Sequence, residues 1–194
     1  MARIGLKGLT YAQVSGGGAG SAVTYTGGAT IADLMIAANV TLNRQDVKQY
    51  ADDHLVERDN GMTSATIALE LARLPAELKT GLLGYEAGSS SQSDELSVVE
   101  DPAPYVGFGY ITKEVTNGVA SYVGYWHYKV QFGLNDDNAS TKGENTQFQS
   151  SNLTGEGMGV QLSSGGKITY YVTKSAATEA AIRTWLNGLA GISA

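Results

Sequence analysis

Residues 104–132 read PYVGFGYITKEVTNGVASYVGYWHYKVQF and carry the strongest structural signal in the chain. Residues 104–115 and 120–132 alternate in side-chain character, and Asn117-Gly118 between them favours a tight turn. Successive side chains of a strand point to opposite faces, so the second strand has an even and an odd face. We expect the even face to lie in the core. Its members are Trp126, Tyr128, Val130 and Phe132. The segment therefore predicts an antiparallel hairpin.

Further strands are predicted along the rest of the chain. Residues 62–74 place Ile67, Leu69 and Leu71 on one face and polar or small side chains on the other, which is typical of a half-buried strand. The other predicted strands, whose pairing stays open, are residues 31–42, 46–58 and 168–173. Twenty-five glycines and eleven tyrosines beside three prolines favour many turns and half-buried strands, as in sandwiches and barrels.

Two helices are also predicted. Pro75 suits a first helical position, and leucines at 74, 78 and 82 follow at helical spacing until Gly84. A C-terminal helix is predicted over residues 175–189, with Ser175 as its cap. Its apolar stripe, which must pack on a sheet or on a neighbour, consists of Ile182, Trp185, Leu186 and Leu189. The fold class that follows is mainly β (α+β): an antiparallel β-sandwich or barrel with a flanking C-terminal helix and a short second helix.

The chain is long enough for one ordinary domain, which we expect to span residues 1–194. Residues 3–14 alternate weakly, which suits a strand or an extended arm. Residues 1–21 are interpreted as a flexible N-terminal arm, because the tract SGGGAGS at residues 15–21 has the composition of a linker. Residues 86–101 are interpreted as an acidic, serine-rich loop with at most one short strand.

The charge balance argues against sequence-specific binding of nucleic acid. Thirteen basic and nineteen acidic side chains give a formal net charge of −6, which is the wrong sign for holding a phosphate backbone. Nearly all of this excess lies between residues 80 and 112, which include no lysine or arginine. The acids there are Glu86, Asp94, Glu95, Glu100 and Asp101.

The composition also bears on the compartment in which the protein folds. Cysteine is absent, so the fold uses neither disulfides nor thiolate metal ligands, and assembly in a reducing cytosol fits. The first residues do not have the pattern of a signal peptide. The longest nearly uncharged apolar stretch, residues 34–40, is too short to cross a bilayer, so we expect a soluble protein that does not partner a membrane.

Little in the sequence could build a catalytic, cofactor or metal site. His54 follows Asp52 and Asp53, but adjacent strand residues point to opposite faces and a suitably spaced second histidine is missing, so a solvated turn is favoured. His127 is expected at a polar strand position and not as a general base. We therefore expect no catalytic residue, no cofactor and no metal, and no enzymatic activity.

Several segments, in order along nearly the whole chain, resemble the major tail protein family of siphophages that infect Gram-positive hosts. The opening GLKGLTYA at residues 5–12 is similar to the family's G-L-K-x-x-x-Y-A pattern, and YADD at residues 50–53 is similar to its Y-A-D-[ND] turn. The remaining similar segments are LELARLP at 69–75, LGY at 83–85, PYVGFGY at 104–110, YWHY at 125–128 and the terminal helix at 181–189. The glycine tract at residues 16–20 departs from the family's pattern.

This resemblance implies a structural subunit that assembles into stacked hexameric rings and so forms the phage tail tube, a conduit for DNA during genome delivery. Its implied partners are other copies of itself, the tape measure protein and the tail-end proteins, with DNA only in transit. Its implied place is the virion tail, with assembly in the host cytoplasm. Within this hypothesis we expect two exposed segments to contact neighbouring subunits. The residues concerned are Tyr50, Asp52, Asp53, Asp94 and Glu95.

A second class of function stays open from the residues alone. Tyrosines predicted to be exposed on strands are also typical of a carbohydrate-binding or adhesin-like β domain. A glycan array would separate the two hypotheses, because a tube subunit has no reason to bind sugar. An enzyme is a distant third.

Overall fold

The structure, a computed structural model, describes residues 2–88, 95–136 and 150–192, and within these ranges it consists mainly of β-strands with two helices. The first elements are β1 Ala2–Gly16, β2 Thr24–Ile31, β3 Met35–Arg44, β4 Val47–Ala51, β5 His54–Asp59, β6 Met62–Leu71, α1 Ala76–Leu83, β7 Glu86–Ala87 and β8 Leu96–Ser97. They are followed by β9 Tyr105–Thr116, β10 Val119–Asp136, β11 Ser151–Gly157, β12 Val160–Gln161, β13 Ile168–Thr169, β14 Tyr171–Ala176 and α2 Glu179–Leu189. The predicted fold class is confirmed: the chain is mainly β, with a large antiparallel sheet and a C-terminal helix, and it fits a β-sandwich.

The large sheet has the strand order β2-β1-β9-β10-β11-β6-β3, and β14 also pairs with β10. The long strand β10 has two partners on one side, because residues 122–127 pair with β14 whereas residues 130–136 pair with β11. Side chains of β6 and β9 share one core, although two strands separate them in the sheet. The sheet therefore folds over on itself, and β10 is the strand that passes from one layer to the other.

A β-bulge in β10 changes which side chains face the core. His127 lies opposite Phe108 and Val130 lies opposite Val106, so two residues of β10 face one residue of β9. An extra residue of this kind moves every following side chain to the other face of the sheet. The prediction that Trp126, Tyr128, Val130 and Phe132 share one face is therefore wrong. Trp126 packs under α2, whereas Val130 and Phe132 lie between the two layers.

Among the described residues, two hydrophobic clusters hold the fold together. The larger one lies between the layers and draws its buried side chains from β1, β6, β9, β10, β11 and α1. The smaller one lies between the sheet and α2. Its buried members are Ala12, Ile111, Trp126, Ile182, Leu186 and Ala190.

The N-terminal segment is an inner strand of the sheet. β1 lies between β2 and β9, and its Leu9 and Ala12 are fully buried. The flexible-arm interpretation is therefore wrong for residues 2–16. The glycine tract that follows forms a tight connection to β2, in which a Cβ at Gly17 would lie 2.0 Å from the carbonyl oxygen of Ala22. Composition alone suggested a linker, whereas the backbone here requires glycine.

Several local predictions are confirmed. Asn117 and Gly118 form the turn of the β9–β10 hairpin with φ values of 50° and 80°. The predicted face of β6 is buried, and α1 ends at Gly84 with φ 73°. The C-terminal helix begins later than predicted, because residues 171–176 pair with β10 as β14. Its cap is the hydroxyl of Thr178 and not that of Ser175.

That residues 1–194 form a single domain stays a prediction. Within the described residues, neither helix has the length and apolar character needed to cross a bilayer.

Candidate functional site

The β4–β5 hairpin, residues 47–59, is an exposed element of the fold. It forms a two-stranded sheet of its own between β3 and β6, and every residue of both strands is exposed. An isolated two-stranded hairpin is marginally stable in water, because neither face is buried. This element therefore has two faces available for contact with another molecule.

The hairpin carries apolar side chains in spite of its exposure. Tyr50 has 64% of its surface exposed and lies opposite Leu55 across the two strands. The exposed apolar members are Val47, Tyr50, Leu55 and Val56. A cluster of apolar side chains on one exposed element is typical of an interaction surface.

The tip of the hairpin presents two carboxylates. Asp52 and Asp53 have φ values of 49° and 62°, in the left-handed region that a tight hairpin turn requires and that Asp tolerates better than most residues. The Nδ1 of His54 lies 3.1 Å from the carbonyl oxygen of Asp52, so a proton on this nitrogen completes a hydrogen bond within the turn. The expected solvated turn is what the structure contains. In the described part of the chain, no group of three or more His, Asp or Glu could hold a metal ion.

An ion cluster stands at the base of the hairpin. The Nε of Arg58 donates to one oxygen of Asp46 at 2.7 Å, and the Nη2 donates to the other at 3.3 Å. The Nζ of Lys48 lies 3.4 Å from the same carboxylate. The hydrogen bond from Arg58 holds the pKa of Asp46 below its ordinary value. These contacts tie the two strands together where the hairpin leaves the sandwich.

The structure brings together three of the five residues predicted to contact neighbouring subunits. Tyr50, Asp52 and Asp53 lie on the β4–β5 hairpin. Glu95 is exposed and lies beside a second short ribbon, β7–β8, where its carbonyl oxygen accepts a hydrogen bond of 2.8 Å from the amide of Gly88. Asp94 lies outside the described residues. The other described acids of the acidic segment, Glu86, Glu100 and Asp101, are exposed.

Comparison with known proteins assigns this fold to a family. Residues 25–182 of the 194-residue chain match a family model described as phage tail tube protein. The chain belongs to the phage tail tube protein family. The matched range includes the β4–β5 hairpin, the β7–β8 ribbon and the β9–β10 hairpin. A search of curated proteins found no match. This tail tube protein is therefore a structural component of the virion tail, and membership of a structural family favours a non-enzymatic role.

Sequence reasoning did not locate the open edges of this tail tube protein. β2 and β3 stand at the two ends of the strand order, and β3 carries the exposed side chain of Ile36. Edge strands present unpaired N–H and C=O groups that can pair with another chain. Alternation predicts that a strand exists but not which strand lies at an edge, so the sequence carried no signal for this feature.

His127 also lies where the sequence did not place it. We expected a polar strand position, but the side chain is only 2% exposed and faces the interior of the sandwich. Without the bulge, the odd-numbered residues of β10, including His127, would lie on the face opposite to Val130 and Phe132 and would point outward.

Proposed function

We propose that this tail tube protein assembles into hexameric rings that stack into a hollow tube, through which DNA passes during genome delivery. Family membership supports a tail tube subunit that associates with copies of itself. The observation that carries the proposal is the β4–β5 hairpin, which stands outside the sandwich with both faces and its apolar side chains exposed. Burial of these side chains against another copy removes them from water and stabilises the contact.

The hairpin tip is the proposed contact to a neighbouring subunit. Tyr50 supplies a large apolar ring with a polar end, a side chain that is enriched at protein interfaces. Asp52 and Asp53 supply two charges, which select a basic surface on the neighbour and exclude other orientations. Glu95 is proposed to form a second contact beside the β7–β8 ribbon, and Asp94, which lies outside the described residues, stays a predicted contact residue.

The edges of the sheet are the proposed route to ring closure. A head-to-tail contact between one edge and a different edge of the next copy gives a closed ring when the rotation suits. β2 and β3 are available for such pairing because they end the strand order. In a closed ring every edge is paired, so a feature that favours aggregation in a monomer becomes useful in the assembly.

The charge of the chain supports a conduit. The formal net charge of −6 and the exposed acids of the segment around β7 and β8 repel phosphate groups. We propose that DNA is a passing cargo that is not bound sequence-specifically, and that the tape measure and tail-end proteins meet the tube inside and at its ends. Assembly is proposed to take place in the host cytoplasm. No observation favours the carbohydrate-binding alternative over this function.

Electron microscopy of the purified protein tests the proposal. Negative-stain images of the full chain at high concentration, or after co-expression with the tail chaperones, should contain rings or tubes about the width of a phage tail. A Tyr50→Ser, Leu55→Ser variant should fold but lose the tubes, because both side chains are exposed in the subunit. The matched controls are Val119→Ser and Ile168→Ser, which remove exposed apolar side chains elsewhere and should leave assembly intact.

Two results would count against this function. A wild-type chain that stays monomeric under all of these conditions would contradict the tube. Tubes that form equally well from the Tyr50→Ser, Leu55→Ser variant would remove the hairpin from the assembly contact and leave the family assignment standing.

A further inference from the structure

β10 turns a corner between the two layers of the sandwich at residues 127–130. Before the corner it pairs with β14, and after the corner it pairs with β11. Two backbone hydrogen bonds hold the corner: the amide of Tyr128 donates to the carbonyl oxygen of Tyr170 at 3.2 Å, and the amide of Met158 donates to that of Lys129 at 2.8 Å. The bulge places the side chain of His127 inside this corner.

His127 is surrounded by rings. The centroid of its imidazole lies 6.1 Å from that of Phe108, 6.3 Å from that of Tyr110 and 5.4 Å from that of Tyr171. Neither ring nitrogen has a hydrogen-bond partner among the described residues, although both are buried. An unpartnered buried polar group is costly and uncommon in folded proteins, so its presence calls for a reason.

The layers do not close tightly on this side of the sandwich. A cleft of about 350 Å³ lies beside His127, between Ala38, Val40 and Leu42 of β3 and the tyrosines at 110, 125 and 171. β3 ends the strand order and pairs with β6. No strand pairing therefore ties β3 to β10 or β14 among the described residues. The two layers are therefore not in full contact beside His127.

No charge in the cleft is placed to stabilise an imidazolium. The titratable groups that line it with His127 are Tyr110 from β9, Tyr125 from β10, Tyr171 from β14 and Arg3 from β1, and β3 contributes none. Arg3 is a cation that donates to Tyr125 and to the carboxylate of Glu114, the latter at 3.0 Å. Burial raises the pKa of Tyr110 to about 12, so this hydroxyl stays neutral. Protonated His127 would stand in an apolar, uncompensated position.

We propose that the corner of β10 is an acid-sensitive hinge, in which a proton on His127 draws water into the cleft and parts β3 from β10 and β14. The core between β6 and β9 and the packing of α2 stay closed in this movement. The proposal concerns the subunit itself and does not rest on the proposed tube.

The direction of the pH dependence follows from burial. Burial lowers the pKa of His127 from 6.5 to about 4 in the closed form, whereas a hydrated imidazole in the open form has its ordinary value. Between these values the open form binds more protons, so the closed form is stable above pH 6.5 and loses stability as the pH falls towards 4. The opening constant is expected to rise by up to about tenfold for each pH unit within this window, and by about 40-fold from pH 6.5 to pH 4.5, because both ends of that interval lie close to one of the two pKa values.

Hydrogen exchange of the full chain, corrected for the intrinsic rate at each pH, tests the hinge. Protection of the amides of Tyr128 and Met158, whose hydrogen bonds hold the corner, should fall about 40-fold from pH 6.5 to pH 4.5, while protection in α2 and β6 stays constant. His127→Phe keeps a ring in the corner but cannot be protonated, so it should abolish the response. His54→Gln removes the chain's other histidine, which is exposed, and should respond as wild type does.

Three results would overturn the hinge. One is an undiminished acid response in His127→Phe. Another is a parallel loss of protection in α2, which would mean that the whole subunit unfolds. The third needs no variant and remains available if His127→Phe does not fold: an NMR titration of wild type in which the His127 ring protonates with a midpoint near 6.5.

Discussion

At the scale of single residues, the packing of α2 on the sheet requires a glycine in the strand beneath it. Gly124 lies in β10 directly under the helix, and a Cβ at this position would be 2.5 Å from the Cγ2 of Ile182 and 2.9 Å from the Cζ3 of Trp185. Real Cβ atoms do not approach other atoms so closely. The helix therefore rests on bare backbone, and Ile182 is fully buried as a result.

Gly124→Ala is expected to lower the free energy of unfolding by about 1–3 kcal/mol, because overpacking forces the helix or the strand to shift. Equilibrium unfolding in urea measures this change. Gly188→Ala is the matched control: the position lies in α2, nothing is within 4 Å of the added Cβ, and helix propensity should stabilise by about 0.5–1 kcal/mol. The same change in the free energy of unfolding for both variants would contradict this account of the α2 packing.

At the scale of elements, the composition of a strand does not decide its position in the fold. β1 is glycine-rich and weakly alternating, yet it lies inside the sheet with Leu9 fully buried. β4 and β5 contain no glycine, yet every residue of both is exposed. Alternation reports that two faces differ, whereas the position of an element depends on which other strands are available to pair with it.

Leu9→Ala is expected to destabilise the subunit by about 2–5 kcal/mol, because it leaves a cavity in the core between the layers. Ile4→Ala, on the same strand but exposed, is expected to change stability by less than about 0.5 kcal/mol. Thermal and chemical denaturation of both variants test the placement of β1. A flexible arm would give two small and similar effects.

The ion cluster at the base of the β4–β5 hairpin predicts that the order of the hairpin depends on pH. The folded pKa of Asp46 lies below its ordinary value of 3.8, so the contribution of this group to hairpin order is present above that value and is lost as the pH falls below it. Arg58→Ala is expected to return the titration midpoint of the Asp46 carboxyl group towards 3.8, which NMR of the carboxyl carbon measures. Lys48→Ala should move it less, because Arg58 makes the stronger contact. A midpoint that does not respond to Arg58→Ala would mean that the pair is open in solution.

The features that the sequence predicted are those decided by neighbours in the chain. The β9–β10 hairpin follows from Asn117-Gly118, and the end of α1 follows from Gly84. The bulge after His127 depends on how β10 meets β9 and changes layers, which no local pattern records. The exposed tip of the proposed contact site was predicted from its turn residues. The apolar surface beside it was not, because exposure of Leu55 and Val56 depends on the absence of a covering layer.

At the scale of the whole molecule, the fold separates what stabilises the subunit from what is free to make contacts. The two hydrophobic clusters of the described residues lie between the layers and under α2, whereas the hairpin, the exposed acids and the outward side chains of the edge strands, such as Ile36, lie outside them. Substitutions in the second group can therefore change assembly without unfolding the subunit. This separation makes the proposed tube testable by variants that stay folded.

Ile36→Lys is the sharpest such variant for the edge of β3. The side chain is exposed, so the subunit should fold with nearly unchanged stability, yet a lysine on an edge strand opposes pairing with another chain because its charge would have to be desolvated. We expect rings and tubes to be lost in negative-stain images, while the thermal midpoint of the subunit stays within a few degrees of wild type. Val119→Lys is the matched control, since it adds the same charge at an exposed position beside the β9–β10 turn and should assemble normally. Tubes from Ile36→Lys at the wild-type level would show that β3 is not an assembly edge and would leave β2 as the remaining end of the strand order for ring closure.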